Sequence, residues 1–209
     1  TTPIWAEVTP HNSLTATAQW ILSTDSSEVA GQNIEFFTNP ACTLSVGGSS
    51  ASLGSSATSH TFSSGSDGGT YYFKVTSTNF AGSLTDSVCS PAMSLDITAP
   101  AAVTAEAWSE VSPHNAISLN VNWTDSVSTD IAQYEIEFFT AASCSALSST
   151  GPATVDAHVG GANTAAFAGA DGTTYYFTIT ARDTADNLTA TTCSPAMLLD
   201  VTFPAAATS

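Results

Sequence analysis

The chain repeats itself with a period of about 103 residues, so whatever it folds into it must fold twice. Trp5-Ala6-Glu7-Val8-Thr9-Pro10-His11-Asn12 returns as Trp108-Ser109-Glu110-Val111-Ser112-Pro113-His114-Asn115. Ile34-Glu35-Phe36-Phe37-Thr38 returns as Ile136-Glu137-Phe138-Phe139-Thr140, and Tyr71-Tyr72-Phe73 as Tyr175-Tyr176-Phe177. Cys89-Ser90-Pro91-Ala92-Met93 returns as Cys193-Ser194-Pro195-Ala196-Met197. The offset drifts by only about one residue either way, which confines insertions to loops. The copies meet near Thr98-Ala99-Pro100-Ala101-Ala102-Val103-Thr104, where Pro100 forces an extended entry and withholds an amide from any sheet. We therefore expect domains at 1–99 and 100–203. Thr202-Phe203-Pro204-Ala205-Ala206-Ala207-Thr208 repeats that wording, so 204–209 reads as a linker or the start of a third copy. The expectation is a mature piece of a longer array, or a subunit whose tail reaches a neighbour, with its processing signals elsewhere.

Within each copy the apolar residues alternate. Leu14, Ala16, Ala18 and Trp20 form one such set, and Ile117, Leu119, Val121 and Trp123 match it. Tyr134, Ile136 and Phe138 form another, as do Tyr175, Phe177, Ile179 and Ala181. Period-two patterns rich in aromatic and β-branched residues predict strands with one buried and one wet face. Pro-His-Asn, Asn-Pro and Asp-Gly turn signals separate them, and no stripe of helical period reaches helix length. About seven short strands per copy predict an all-β chain of two tandem immunoglobulin-like antiparallel sandwiches.

Trp123, the third-strand Tyr134-Glu135-Ile136-Glu137-Phe138 and the sixth-strand Tyr175-Tyr176-Phe177-Thr178-Ile179-Thr180-Ala181 resemble fibronectin type III domains, and Arg182-Asp183-Thr184-Ala185-Asp186-Asn187 is similar to the following turn in bacterial cell-surface versions. Two departures stand out. Copy 1 has Gln32 where copy 2 has Tyr134, and the Leu-x-Pro that the family places before the sixth-strand Tyr is missing. The resemblance implies spacing, adhesion and matrix structure rather than catalysis.

Composition narrows the partners. The net charge is −16, and Lys74 and Arg182 are the only basic residues. Two cations cannot neutralise enough phosphates for nucleic-acid binding, nor hold an anionic membrane surface. No apolar run approaches the roughly 20 residues of a membrane span, so no insertion is expected. With 43% hydrophobic and 10% charged residues, the surface is made of Ser, Thr, Asn and Gly, which fits a secreted or cell-surface address.

Each copy holds two cysteines, Cys42 with Cys89 and Cys144 with Cys193. An even, repeat-matched count favours a disulfide inside each domain, worth roughly 4 kcal/mol by loop entropy. In a strict fibronectin-like topology, however, the first Cys follows strand three and the second precedes strand seven, toward opposite poles. Bonds between neighbouring molecules are the alternative.

Calcium is the candidate cofactor, since it needs several carboxylate oxygens. Asp96 near Glu106 and Glu110 would line the junction, with Asp200 and Glu7 in the matching terminal positions. Asp183 with Asp186 and Asn187, and Asp125 with Asp130, are further sets. Solvated carboxylates are the bland alternative, and no loop has EF-hand spacing. His11 and His114 sit in matched Pro-His-Asn turns, where a turn is expected rather than a metal ligand. His60 and His158 do not align between the copies, and the Asp156-x-His158 pair lacks partners. Glu135 and Glu137 share a strand face, as an acid pair would, but a solvated face is the simpler reading; no Gly-x-Ser-x-Gly elbow or triad appears, and no enzyme is expected. Asn187, and in a strand Asn122, fit the glycosylation pattern.

Three functions compete. The first is an extracellular structural module, a stalk, spacer or filament subunit whose partners are other copies of the domain or subunit. The second is an adhesin that binds glycan or protein through loops, with Phe80, the divergent 147–161 segment or exposed aromatics such as Trp5 and Trp108 as its contacts. The identical recurrence of both Trp residues in the strand pattern nevertheless favours packing against the sheet. The third is an accessory domain of a secreted hydrolase.

Overall fold

The computed structural model describes residues 3–22, 26–148, 153–156 and 163–206. The chain divides into two compact units, Thr1–Thr98 and Ala99–Ser209. Both are all-β. A 3-10 turn, Ser26–Glu28, is the helical element among the described residues, and no helix there is long and apolar enough to cross a membrane.

Unit 1 contains β1 (Ile4–Trp5), β2 (Ala16–Gln19), β3 (Val29–Phe37), β4 (Ala51–Leu53), β5 (Ser59–Phe62), β6 (Thr70–Asn79), β7 (Leu84–Asp86) and β8 (Met93–Ser94). Unit 2 repeats them as β9 (Thr104–Trp108), β10 (Ser118–Thr124), β11 (Ile131–Phe139), β12 (Ala153–Asp156), β13 (Asn163–Ala168), β14 (Thr174–Asp183), β15 (Leu188–Ala190) and β16 (Met197–Leu198). One sheet is β1-β2-β5 and the other β4-β3-β6-β7, with β8 also on β6; unit 2 has the same order, and these strands pair antiparallel, while single parallel bridges join His11 to Leu95 and His114 to Leu199.

The alternation sets face one another across each sandwich. Ala16, Ala18, Trp20, Ile34, Phe36, Phe62, Phe73 and Val75 are buried in unit 1, as are Leu119, Val121, Trp123, Ile136, Phe138, Phe167, Phe177 and Ile179 in unit 2. Burial of such side chains is the main term that holds a two-layer domain together. The pattern starts two residues later than expected, because Leu14 (36% exposed) and Ile117 (51%) lie in the turn ahead of β2 and β10 rather than in the core.

The last strand explains the cysteines. It is broken between β7 and β8, and there the amides of Ser87 and Ser90 still donate to Val75 O and Phe73 O, while their hydroxyls accept from the amides of Val75 and Phe73. Thr191 and Ser194 do the same against Ile179 and Phe177. These hydroxyls stand in for strand carbonyls, so the chain keeps its place beside β6 while Cys89 turns out of the ladder. The turn after β3 carries Cys42, with φ of 49°, back beneath it. Disulfides join Cys42 to Cys89 and Cys144 to Cys193, with Cα–Cα separations of 5.9 and 5.7 Å. The opposite-poles objection fails because the second cysteine lies inside a long, interrupted last strand and not before it.

Tyr71 OH accepts from Ser66 N, and Tyr175 OH from Ala170 N, both at 2.9 Å and five residues upstream. This is a tyrosine corner, achieved without the Leu-x-Pro of the resembling family. Gly69 and Gly169 make room for the rings: a Cβ on Gly69 would lie 2.5 Å from Tyr71 Oη, and one on Gly169 2.6 Å from Tyr175 Cε2.

Candidate functional site

The residues suspected of chemistry serve mostly to fasten loops. Asp183, at the end of β14, is 1% exposed, and its Oδ1 accepts from the amides of Ala185 and Asn187 at 2.8 Å each. Its Oδ2 accepts from Asn187 Nδ2 at 2.9 Å. Asp186, at φ 69°, pairs instead with Arg182 at 3.1 Å. The expected set of Asp183, Asp186 and Asn187 is therefore brought together, as a hydrogen-bonded turn, and the Asn187 nitrogen that a glycan would need is engaged in it. Asp130 has an oxygen within 4.8 Å of one on Asp183, and its carbonyl accepts from Thr184 N. Asp125 accepts from Asn163 Nδ2.

Glu110 accepts from Asn120 N at 3.0 and 3.2 Å and from Asn120 Nδ2 at 3.0 Å, tying the turn after β9 to β10. Glu7 does the same for Thr17 N at 2.8 Å. Glu106 lies on β9 in the second unit, and Asp96, in the first, accepts from Thr98 N at 3.1 Å. Glu135 reaches Arg182 at 3.9 Å, and Glu137 shares its solvent-facing side of β11. Both basic residues are thus in ion pairs, Lys74 with Asp86 at 2.8 Å.

His11 donates its amide to Ser94 O and accepts at its carbonyl from Asp96 N; His114 does the same with Leu198 and Asp200, so both sit in pinned turns. The His60 ring lies 6.1 Å from that of Phe36, and His158 lies outside the described residues. The two first-strand tryptophans are packed against the sheet, as their recurrence in the strand pattern suggested, rather than displayed as adhesive aromatics. Trp5 lies edge-on to Phe73 at 4.9 Å and donates Nε1–H to Pro91 O; Trp108 repeats this with Phe177 and Pro195 O. Asn122 Nδ2 bonds Ser109 Oγ at 2.6 Å.

Phe80 is the aromatic that does project, at 80% exposure, from the β6–β7 hairpin. Asn79 Oδ1 holds the hairpin through the amides of Ala81 and Ser83, and Gly82 supplies its left-handed residue at φ 84°. Unit 2 has Thr184 at the matching place. Most of the divergent 147–161 segment lies outside the described residues.

Sequence reasoning missed the exit of each unit. Asp67, in the turn before β6, accepts from Ile97 N at 2.9 Å and from the Thr98 hydroxyl. Asp171 accepts from Val201 N at 2.8 Å and the Thr202 hydroxyl at 2.9 Å. The Thr98 hydroxyl, then the Ile97 amide, hold the Asp67 carboxyl below its ordinary range; the Val201 amide, then the Thr202 hydroxyl, do so for Asp171. The signal was present as an Asp-Gly turn and a Thr-x-Pro exit, each repeated in both copies.

Unit 1 also has a cleft of about 280 Å³ beside the β3-β6-β7 edge of its larger sheet, lined by Glu28, Val29, Val75, Ser77, Thr85 and Ser87 among others.

No family model matches the chain, and no curated protein matches it. Solved structures do. The FN1–FN3 domains of chicken CNTN1 superpose with a TM-score of 0.56 at 14% identity over 90% of this chain, which spans 59% of that one. The fibronectin(III)-like modules of Clostridium thermocellum CbhA give 0.57 at 10% identity, covering 95% of this chain and 94% of theirs. With the strand order and tyrosine corners above, these likenesses make each unit a fibronectin type III-like β-sandwich.

Proposed function

We propose that the chain is an extracellular, non-catalytic structural module, a stalk, spacer or filament subunit of a cell-surface protein. The fold suggests a structural or accessory module; one observation supports the finer reading. What the two units share beyond their cores is a set of fasteners: a disulfide between the third-strand loop and the last strand, and an Asp that ties down the exit. What they do not share is the projecting surface, since Phe80 faces Thr184 in the alignment. Duplication that keeps fasteners and lets surfaces drift suits a load-bearing element more than a recognition element. The disulfides suit an oxidising compartment. Antibodies against the chain, applied to intact source cells, are expected to label the surface or extracellular fibres. Labelling that requires permeabilised cells would sink the proposal.

The adhesin reading keeps one specific support, the rigid presentation of Phe80. Under it, Phe80→Ala abolishes attachment to a glycan or matrix-protein surface without changing the melting temperature; unchanged attachment removes that reading.

A further inference from the structure

The entering and leaving segments of each unit meet side by side and run the same way. In unit 1 the His11 amide donates to Ser94 O and the His11 carbonyl accepts from Asp96 N, both at 2.9 Å, around a parallel bridge to Leu95. Thr9 Oγ1 accepts from Ser94 N at 2.9 Å, one step back along the same line. Unit 2 repeats the patch. His114 N donates to Leu198 O and Asp200 N to His114 O at 2.9 Å, and Leu198 N donates to Ser112 Oγ at 3.0 Å.

The chain arrives at this patch through the first segment and departs through the last. When two strands are parallel, the start of one and the end of the other lie at opposite ends of the pairing. Tension along the chain therefore slides the two past each other and loads the bonds together, where an antiparallel pair held at one end would open bond by bond. The exit clasps add to the same line, since Asp67 holds Ile97 N and Asp171 holds Val201 N just beyond the patch.

The disulfide stands behind the patch. Once those bonds yield, the last strand can be drawn out only as far back as Cys89, and the entering chain only as far forward as Cys42. The covalent bond then carries the tension across. Strands β4 to β7 in unit 1, and β12 to β15 in unit 2, lie between the two cysteines and bear none of it. Both tyrosine corners fall inside these bypassed stretches.

We propose that each unit is a tension-limited element, in which the parallel patch resists end-to-end pulling and the disulfide behind it caps how far the unit extends. Of the residues Thr1–Thr98 the bond holds back a separation of 47, and 49 in unit 2. This rests on the load-bearing reading of the structural module and fails separately from it, because a spacer that extends fully is still an extracellular spacer.

The test is optical-trap stretching of the whole chain, held by peptide tags at its two ends. Two rupture events are expected from the oxidised chain. Reducing it before stretching should lengthen each event by about 160 Å of contour, the reach of the withheld residues at roughly 3.3–3.6 Å apiece. Cys42→Ser with Cys89→Ser should lengthen one event by that amount without reductant and leave the other as it was.

Two unit 2 variants test where the resistance lies. Ser112→Ala removes one exposed bond of the patch, which costs little in urea but should lower the rupture force. Asp183→Ala costs more in urea, yet Asp183 lies within the bypassed stretch and keeps its contacts while the patch yields. Contacts still formed at the barrier do not change the unfolding rate, so its rupture force should stay at the native value. Events of equal length in the oxidised and reduced chains overturn the proposal. So does a rupture force that falls with Asp183→Ala and not with Ser112→Ala.

Discussion

Trp20 donates its indole N–H to Gln32 Oε1 at 2.8 Å in the core of unit 1, although Gln is an unexpected residue on a buried strand face. The amide nitrogen of the same side chain donates to Gly54 O, Ser55 O and Ala57 O at 3.2, 3.1 and 2.9 Å, so one glutamine satisfies an indole and bundles the β4–β5 loop. Unit 2 solves the position differently. Tyr134 packs edge-on to Trp123 at 5.9 Å and turns its hydroxyl toward the Ser126 amide, leaving Trp123 Nε1 without an acceptor among the described residues. Gln32→Leu removes the acceptor of a buried indole and strands loop carbonyls, so a loss of about 2–4 kcal/mol in unit 1 is expected. Trp123→Phe has no such bond to lose, and its cost should be that of volume alone. Urea unfolding of the two variants checks the contrast.

The disulfides enclose 47 and 49 residues of sequence separation. Loop entropy alone then assigns each about 4 kcal/mol. For Cys42→Ser with Cys89→Ser, the unfolding midpoint of unit 1 should fall by about 2 M urea at a slope near 2 kcal/mol/M. Unit 2 should keep its own transition. Mass spectrometry of the unreduced protein should find no free thiol and no disulfide-linked dimer; a dimer lost on reduction would contradict the pairing.

Most of the fold was legible because it depends on alternation, and alternation is local. Tyr175, Phe177, Ile179 and Ala181 announce a strand by themselves, and the repeat announces it twice. Leu14 and Ile117 misled because a turn residue can share the period of the strand it precedes. The cysteines were paired correctly by counting, while their geometry was misjudged, since nothing in Ser87 or Ser90 says that a hydroxyl will replace a strand carbonyl. Gln32 looked like a departure from pattern because its four partners come from residues 20 and 54–57, a long-range arrangement no window contains. The exit clasps were hidden in the same way, their partners lying about thirty residues apart.

Those clasps make stability depend on pH. Asp67 and Asp171 have folded-state values below the ordinary carboxylate value, which is about 3.9 in an unfolded chain. A lowered folded value means that the contribution is present above that pH and is lost as pH falls through the folded value. Both carboxyls are exposed, so solvent screening keeps the effect small. The expected result is a steeper loss of stability below about pH 4 in the native chain than in the Asp67→Asn, Asp171→Asn double variant. Parallel acid limbs in thermal melts from pH 7 to 2.5 would refute it.

Asp183 and Asn79 occupy matched hairpins and cap them with the same pair of downstream amides, yet their burial differs. Asn79 is only half-buried, and water can replace its bonds to Ala81 and Ser83. Asp183 is 1% exposed with three acceptor bonds, and Ala185 beneath it is buried. Removing a buried acceptor leaves its donors dry, which costs more than losing an exposed bond. Asn79→Ala is thus expected to cost about 1 kcal/mol and Asp183→Ala about 3 kcal/mol or more. Hydrogen exchange gives a second reading: the amides of Ala185 and Asn187 should be protected in the native protein and exchange far faster in Asp183→Ala. Equal costs in the two hairpins would mean that the buried carboxylate is not what holds the second one.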